Sequence, residues 1–493
     1  MSRLSSRCTK WGIAACQIAV PIVLSLLAGC GTPPGVDVTG SNGQDVTFQR
    51  DQSETAVNVS NVPGPKQVIT VTYNDDTGTE KTIVYGSNTR HVTSGASSMG
   101  WSNSVDGGKT WNYGGKVAPP NGWPVLWGDP SLAADFLDQR YVFLANLAVP
   151  AAKMPAGGID GPLNSYLGGA CIARSTDGGL TFGIAQCVSS NNDFYDGSSM
   201  VAAGSAYDRS VFAAFRDVDQ NRIDVWRSPN DTGQFQMLPN PFPQIPIGSH
   251  PRLRFDPDSA SLYVAALGVN DNKIYVNRYS NGWGNPVVAS YTTVGNPDIQ
   301  LSDRTLRTGY QFSFDIGTPS SNGGDDLRFA YTAFDQQSNR YYVRGSYCAF
   351  DLSGQCHDAP EWGTTPGNFN LTGDQFHPYV RAFRGFFTLQ PVWKLAYTTR
   401  EDNPGGNTVS VRQGNLAVLQ NGTRIFIPFS LPGGLLVCPD LRGYWGDYHE
   451  LQFAGIDQNG NAQFMLTFSD SSKGCLTRWE YTSHHVHVTS VVF

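Results

Sequence analysis

Ser104-Val-Asp106-Gly-Gly108-Lys-Thr110-Trp111 and Ser175-Thr-Asp177-Gly-Gly179-Leu-Thr181-Phe182 share one pattern, S-x-D-x-G-x-T-aromatic. The pattern predicts a tight hairpin. A turn between antiparallel strands takes Gly where φ is positive. An Asp at the turn start accepts backbone N–H groups, and the Ser and Thr hydroxyls bond locally in the same way. The trailing Trp or Phe then enters the next strand and packs inward. Two such turns make the chain around them β.

Both segments resemble the Asp box, or BNR repeat, of sialidase-like β-propellers. The resemblance implies an all-β propeller of four-stranded blades in which these hairpins are scaffold, distant from the active site. Strand-like segments recur to match. Seven units open after a polar or Gly-rich turn and continue with a more apolar strand. Their second strands are Gln67–Tyr73, Tyr141–Asn146, Ser210–Arg216, Ser261–Leu267, Leu327–Phe334, Pro391–Thr398 and Ala462–Phe468. Ser228 to Phe235 reads as a degenerate third box in the third unit. Seven blades is the expected count and six, as in sialidases, the alternative.

The N-terminus sets the compartment. Arg3, Arg7 and Lys10 precede an apolar stretch that ends in Leu27-Ala28-Gly29-Cys30. This resembles a bacterial lipobox, with residues 1–29 a cleaved signal peptide and Cys30 the lipidated first residue. Gly31 follows Cys30, so the retention signal carried by an Asp there is absent. The expected location is the cell envelope, anchored by lipid, at the outer membrane. Residues 30–50 read as a lipidated flexible tether, and 51–493 as a single propeller domain. Six cysteines remain after export: Cys171, Cys187, Cys348, Cys356, Cys438 and Cys475. An even set suits disulfides in an oxidising compartment. Cys171 and Cys187 bracket the second box, Cys348 and Cys356 bracket a shorter turn, and Cys438 is left for Cys475.

Composition agrees with an exported β-protein: 54 Gly, 30 Pro, 12% aromatic and 15% charged residues. The formal charge of −7 becomes −10 once Arg3, Arg7 and Lys10 leave. An acidic chain without basic runs is a poor nucleic-acid binder. Beyond the signal no stretch is long and apolar enough to cross a membrane as a helix. The chain is expected to be a monomer that meets the membrane through its lipid alone.

Propeller phase predicts where chemistry can gather. Loops entering the innermost strands share one mouth with loops leaving the second strands. Entries supply Asp129, Asp196, His250, His377, Asp447, Tyr448 and His449. Exits supply Asn74, Asp75, Asn146, Arg216, Asp217, Asn270, Asp335, Arg400, Glu401, Asp402 and Asp470. Turn propensity accounts for many of the Asp and Asn residues, but less well for the histidines and arginines.

The sialidase resemblance assigns roles within this ring. Family members hold a sialic carboxylate with arginines, attack with a Tyr activated by a Glu, and use an Asp as acid/base. Carried over, these roles fall to Arg216 and Arg400, to Tyr448 with Glu401, and to Asp129. His250, His377, His449 and Asp447 complete the substrate-binding set. The Arg-Ile-Pro that precedes the first box in true sialidases is missing; Arg90 stands there in Thr-Arg-His-Val. Other chemistries remain open. His250, His377 and His449 with Asp129 or Asp447 could hold a structural divalent cation. His, Tyr and Arg together suit β-elimination on uronic-acid glycans. A non-catalytic propeller binding glycan or protein at the same mouth is the reading from a different class.

Overall fold

The computed structural model describes residues 36–37, most of 52–358, and the strands 374–383, 392–401, 410–420, 423–428, 435–436, 450–456, 462–470 and 485–492. Nearly all of the described chain is antiparallel β, and the helical exception among these residues is one 3-10 turn, Ala151–Lys153.

Among the described residues seven sheets of four or five strands follow one another along the chain. In each of the first six the strands run outward in sequence order, from an innermost strand that opens the unit. These innermost strands are Gln52–Asn61, Val125–Ala134, Tyr195–Ala202, Arg252–Asp256, Phe312–Pro319 and Asp374–Phe383. The seventh sheet opens with Glu450–Ile456 and continues through Ala462–Asp470 to His485–Val492. Val36–Asp37, inside the 30–50 segment, supplies its outermost strand, with Val36 opposite Val488 and Asp37 opposite His487. His485 and His487 therefore lie on a strand paired on both sides. Successive innermost strands are neighbours in space, and the first lies against the seventh. The fold is a β-propeller.

The second strands are the most apolar because both of their faces are covered by adjacent sheets. Val142–Val149 and Ser261–Leu267 are buried at every residue. The core is accordingly divided into layers between sheets. Phe143, Phe215 and Trp226 fill the layer between the second and third sheets. Phe314, Phe329 and Phe350 fill that between the fourth and fifth.

A repeated hydrogen bond bolts neighbouring innermost strands together. Ser131 Oγ accepts the N–H of Met200 at 2.8 Å, Ser199 Oγ that of Leu253 at 3.0 Å, and Ser313 Oγ that of Val380 at 2.6 Å. Each of these serines stands opposite an alanine of its own second strand: Ala145, Ala214 and Ala330. The small partner leaves the hydroxyl room to reach the next sheet.

The two S-x-D-x-G-x-T segments join third to fourth strands, at the end of the ring opposite the mouth, and make the same bonds. In the first, Ser104 Oγ donates to Asp106 Oδ1 and accepts the N–H of Gly108, while Asp106 accepts from the N–H and hydroxyl of Thr110. Ser175, Asp177, Gly179 and Thr181 repeat this set. Gly108 and Gly179 have φ of +87° and +95°. The second hairpin also clamps the first sheet: a Cβ on Gly179 would fall 2.0 Å from Thr70 Oγ1. In the third sheet Ser228 Oγ accepts the N–H of Gly233 at 3.0 Å, a reduced form of the same turn. Cys171 and Cys187 stand directly opposite each other around the second hairpin and are joined by a disulfide. Cys348 is buried and disulfide-bonded, with Cys356 on the neighbouring strand.

At the mouth, connections between second and third strands carry extra structure. The hairpin Glu80–Val84/Ser87–Val92 from the first sheet pairs with Ile159–Asp160 from the second. One rim of the ring is thus built up into a small sheet of its own.

Candidate functional site

Asp129, Asp196 and His250 enter from three consecutive sheets and converge at this mouth. One side-chain ligand atom from each lies within 4.8 Å of the others. Arg216, at the end of the third sheet's second strand, adds a guanidinium 3.7 Å from Asp196. The phase argument placed all four at one mouth from sequence, and the structure brings them into one cluster.

Local backbone explains the convergence. The second sheet's innermost strand carries a bulge between Trp127 and Ser131, and the third sheet's carries one between Asp196 and Ser198. Bulges of this kind re-aim side chains at sheet ends. Asp129 sits at φ +55°, an uncommon conformation for a residue with a Cβ. Three bonds hold it there. Its N–H donates to Asn74 Oδ1 at 3.0 Å, its carbonyl accepts the Ser198 hydroxyl at 2.5 Å, and its Oδ2 accepts the N–H of Gly197 at 2.8 Å. Gly197, at φ +60°, lets the His250 ring lie against the backbone. His250 Nε2 is then 3.4 Å from Asp196 Oδ2.

The electrostatics follow. Burial pushes the Asp196 carboxyl up, but His250 first and Arg216 second outweigh it and hold the group at about 2. Asp196 is therefore an anion at any ordinary pH. Burial lowers Arg216 against the pull of Asp196. Its Nε is buried without a hydrogen-bond partner.

As metal ligands the three residues are a poor set. Calcium takes about six to eight oxygens, whereas here one Asp129 oxygen is taken by Gly197 and Asp196 is already bound to two basic groups. The cluster is better described as an ion-pair network beside Asp129.

The other expected site residues divide in two. His377, Arg400 and Glu401 lie in described strands of the sixth sheet, Asp374 standing opposite Arg400 and Glu401 opposite Ser410. Asp447, Tyr448, His449, Cys30, Cys438 and Cys475 lie outside the described residues. Two exit residues serve the scaffold instead. Asp75 accepts the Tyr113 hydroxyl, and Asp217 accepts the N–H of Gln220 in the next turn.

The openings of three units share a dipeptide signal. Asp129-Pro130, His250-Pro251 and His377-Pro378 recur at the openings of the second, fourth and sixth innermost strands. A strand edge facing a channel has no ladder partner to lose, so Pro costs little there. The dipeptide therefore marks the mouth, and it places His377 at the position equivalent to His250 and Asp129.

No family model matches the chain, and no curated protein does. Solved structures similar to it include a Hadza microbial sialidase, Hz136, at 12% identity and a TM-score of 0.38, covering 74% of this chain and 65% of that one. The chain thus spans just under two thirds of that sialidase's length. A protein of unknown function from Dyadobacter fermentans matches at 11% identity and a TM-score of 0.41, over 79% of this chain and 97% of that one. A GH93 α-L-arabinofuranosidase of Fusarium graminearum matches at 14% identity and a TM-score of 0.36, over 76% and 95%. At these identities the likeness is one of fold.

Proposed function

We propose that the chain is an exported, lipid-anchored, seven-bladed propeller that engages an acidic glycan at the mouth marked by Asp129, Asp196, Arg216 and His250. The observation that carries the reading is Arg216. Its guanidinium stands in the cluster with one long ion pair and an orphaned Nε, and a sugar carboxylate offers the paired acceptors that a guanidinium fork fits. Asp129 supplies a further polar contact.

Within that reading glycoside hydrolysis is the favoured chemistry and binding without cleavage the second. Asp129 and Asp196 are too close to flank a water in an inverting mechanism, which needs carboxyl groups about 6.5–9.5 Å apart. These two carboxyls are therefore not an inverting pair; in hydrolysis Asp129 would serve as acid/base, with Tyr448 and Glu401 in the roles that the sialidase resemblance gives them. Elimination from a uronic acid would instead use His250 as the proton carrier beside Arg216.

The test is a panel of sialosides and uronic-acid oligosaccharides, read both for binding and for cleavage. Arg216→Ala should weaken binding of the acidic ligand at least tenfold, and Asp129→Asn should abolish cleavage while sparing binding. Binding confined to neutral sugars, or indifferent to Arg216→Ala, overturns the reading.

A further inference from the structure

Among the described residues Phe334 is the one aromatic side chain that stands exposed, at 43% of its surface. It lies at the mouth end of the fifth sheet's second strand, Asp325–Asp335. Tyr341, at the start of the third strand Arg340–Phe350, stands directly opposite it. The two ring centroids are 5.0 Å apart, with the planes tilted by 55°. Cross-strand aromatic pairs stabilise hairpin ends. That role uses the contact with Tyr341 and leaves the exposed part of Phe334 unexplained.

The pair is tied to the rim that presents His250. The N–H of Gly248 donates to the Leu267 carbonyl at 2.8 Å, and that of Val269 to the Pro246 carbonyl at 2.9 Å. These two bonds fasten the approach to His250 onto the fourth sheet's connection between second and third strands. In that connection the Asn272 carbonyl accepts the N–H of Val294 at 2.8 Å. The next N–H, of Gly295, donates to the Thr332 carbonyl at 2.7 Å, two residues before Phe334. A Cβ on Gly295 would fall 2.9 Å from Cε1 of Tyr341, so the tyrosine ring rests on bare backbone there. A hydrogen-bonded arc thus runs from the segment before His250 to Phe334.

The surroundings select the ligand. The turn between the two rings carries one acid and one base, Asp335 and Arg340, which stand opposite each other. Gln336, Gln337 and Asn339 place exposed amides in the same turn. An aromatic ring beside amides, with no net charge in the turn, suits a neutral sugar. Sugar C–H groups carry slight positive charge and favour the negative face of the ring, and sugar hydroxyls pair with amides. One exposed ring falls far short of the roughly 800 Å² that each partner buries in a stable protein interface.

We propose that Phe334, backed by Tyr341, is an outer subsite that stacks a neutral sugar of the glycan whose acidic residue lies at Arg216. The inference rests on the glycan reading and extends it. The ligand is an oligosaccharide of mixed acidic and neutral units, laid across the rim of the fourth and fifth sheets. Val269, also exposed on this arc, lies along that path.

Calorimetry on the whole exported chain compares two acidic monosaccharides, a methyl sialoside and a methyl glucuronide, with sialyllactose and a hyaluronan tetrasaccharide. Phe334→Ala should weaken whichever oligosaccharide binds by about three- to tenfold and leave the corresponding monosaccharide unchanged. Phe334→Trp should keep the oligosaccharide affinity. So should Met237→Ala, which trims an exposed apolar side chain on the third sheet's outermost strand. A cooperative melt checks that each variant folds. Oligosaccharide affinity that falls in Arg216→Ala but not in Phe334→Ala overturns the subsite and leaves the glycan reading standing. Equal losses for monosaccharide and oligosaccharide in Phe334→Ala also overturn it. Absence of acidic-ligand binding, or binding indifferent to Arg216→Ala, overturns the glycan reading and the subsite with it.

Discussion

Gly197→Ala tests how the mouth is built. The added Cβ would fall 2.2 Å from Cγ and 2.3 Å from Cδ2 of His250, at a residue with φ +60°. Three costs follow. The left-handed backbone costs about 1–2 kcal/mol for a residue with a Cβ. The overlap costs about 1–3 kcal/mol if the ring is forced aside. Losing the partly buried His250–Asp196 pair adds about 1 kcal/mol. Gly122→Ala is the control, since Gly122 has φ +84° and nothing within 4 Å of the added Cβ. It carries the backbone cost alone. Urea denaturation should therefore show Gly197→Ala less stable than Gly122→Ala by about 1–4 kcal/mol. Titration of the acidic glycan should show loss of binding in the first variant only. Equal stability and equal binding in the two variants would refute the packing of His250 on Gly197.

Other consequences follow from the same structure. Asp326 is buried beside Arg328, 3.6 Å away, and burial wins, raising its carboxyl to about 6. The folded state thus keeps a proton that the unfolded chain sheds near pH 4, so this group favours folding fully below about pH 4 and loses that effect as pH rises to about 6, an effect of at most about 3 kcal/mol. Asp326→Asn should flatten the fall in stability over that interval, measured by denaturation at pH 4 and pH 7. Asp177, held low by Thr181 and Ser175 against burial that pushes it up, acts with the opposite sign. Its contribution is present above the ordinary carboxylate range and fades as pH falls below it, so Asp177→Ala should destabilise at pH 7 by about 1–3 kcal/mol and much less in acid. Replacing Cys171 and Cys187 by Ala opens a loop of 16 residues and should cost about 3 kcal/mol in a denaturant titration. Ser199→Ala strands the buried N–H of Leu253 and should cost about 1–3 kcal/mol by the same measure.

The propeller was legible because its units speak locally. Gly, Asp and Ser at the two hairpins have turn chemistry that acts within eight residues, and the apolar second strands announce themselves by burial on both faces. Asp129, Asp196, Arg216 and His250 were legible as a group through strand phase, since position relative to a strand end fixes which side of the ring a residue reaches. The channel was not. Arg252, Arg254, Asp315 and Arg381 look like ordinary charges alternating on strands, and their meeting depends on the packing of three sheets around the ring. The bulges were missed for a similar reason: the two extra residues within Gly128–Pro130 are set by register with the partner strand. Nor did the composition of residues 30–50 foretell that Val36–Asp37 pairs with the last strand, because a two-residue strand has no periodicity to read.

The most direct measurement is the affinity of the whole exported chain for a sialylated and a uronic-acid oligosaccharide by calorimetry, with Arg216→Met and His250→Gln beside the natural sequence. The account predicts that the natural chain binds at least one of the two acidic ligands and that Arg216→Met lowers affinity tenfold or more while the melt stays cooperative. Unchanged affinity in both variants, with the ligand bound elsewhere, would contradict it.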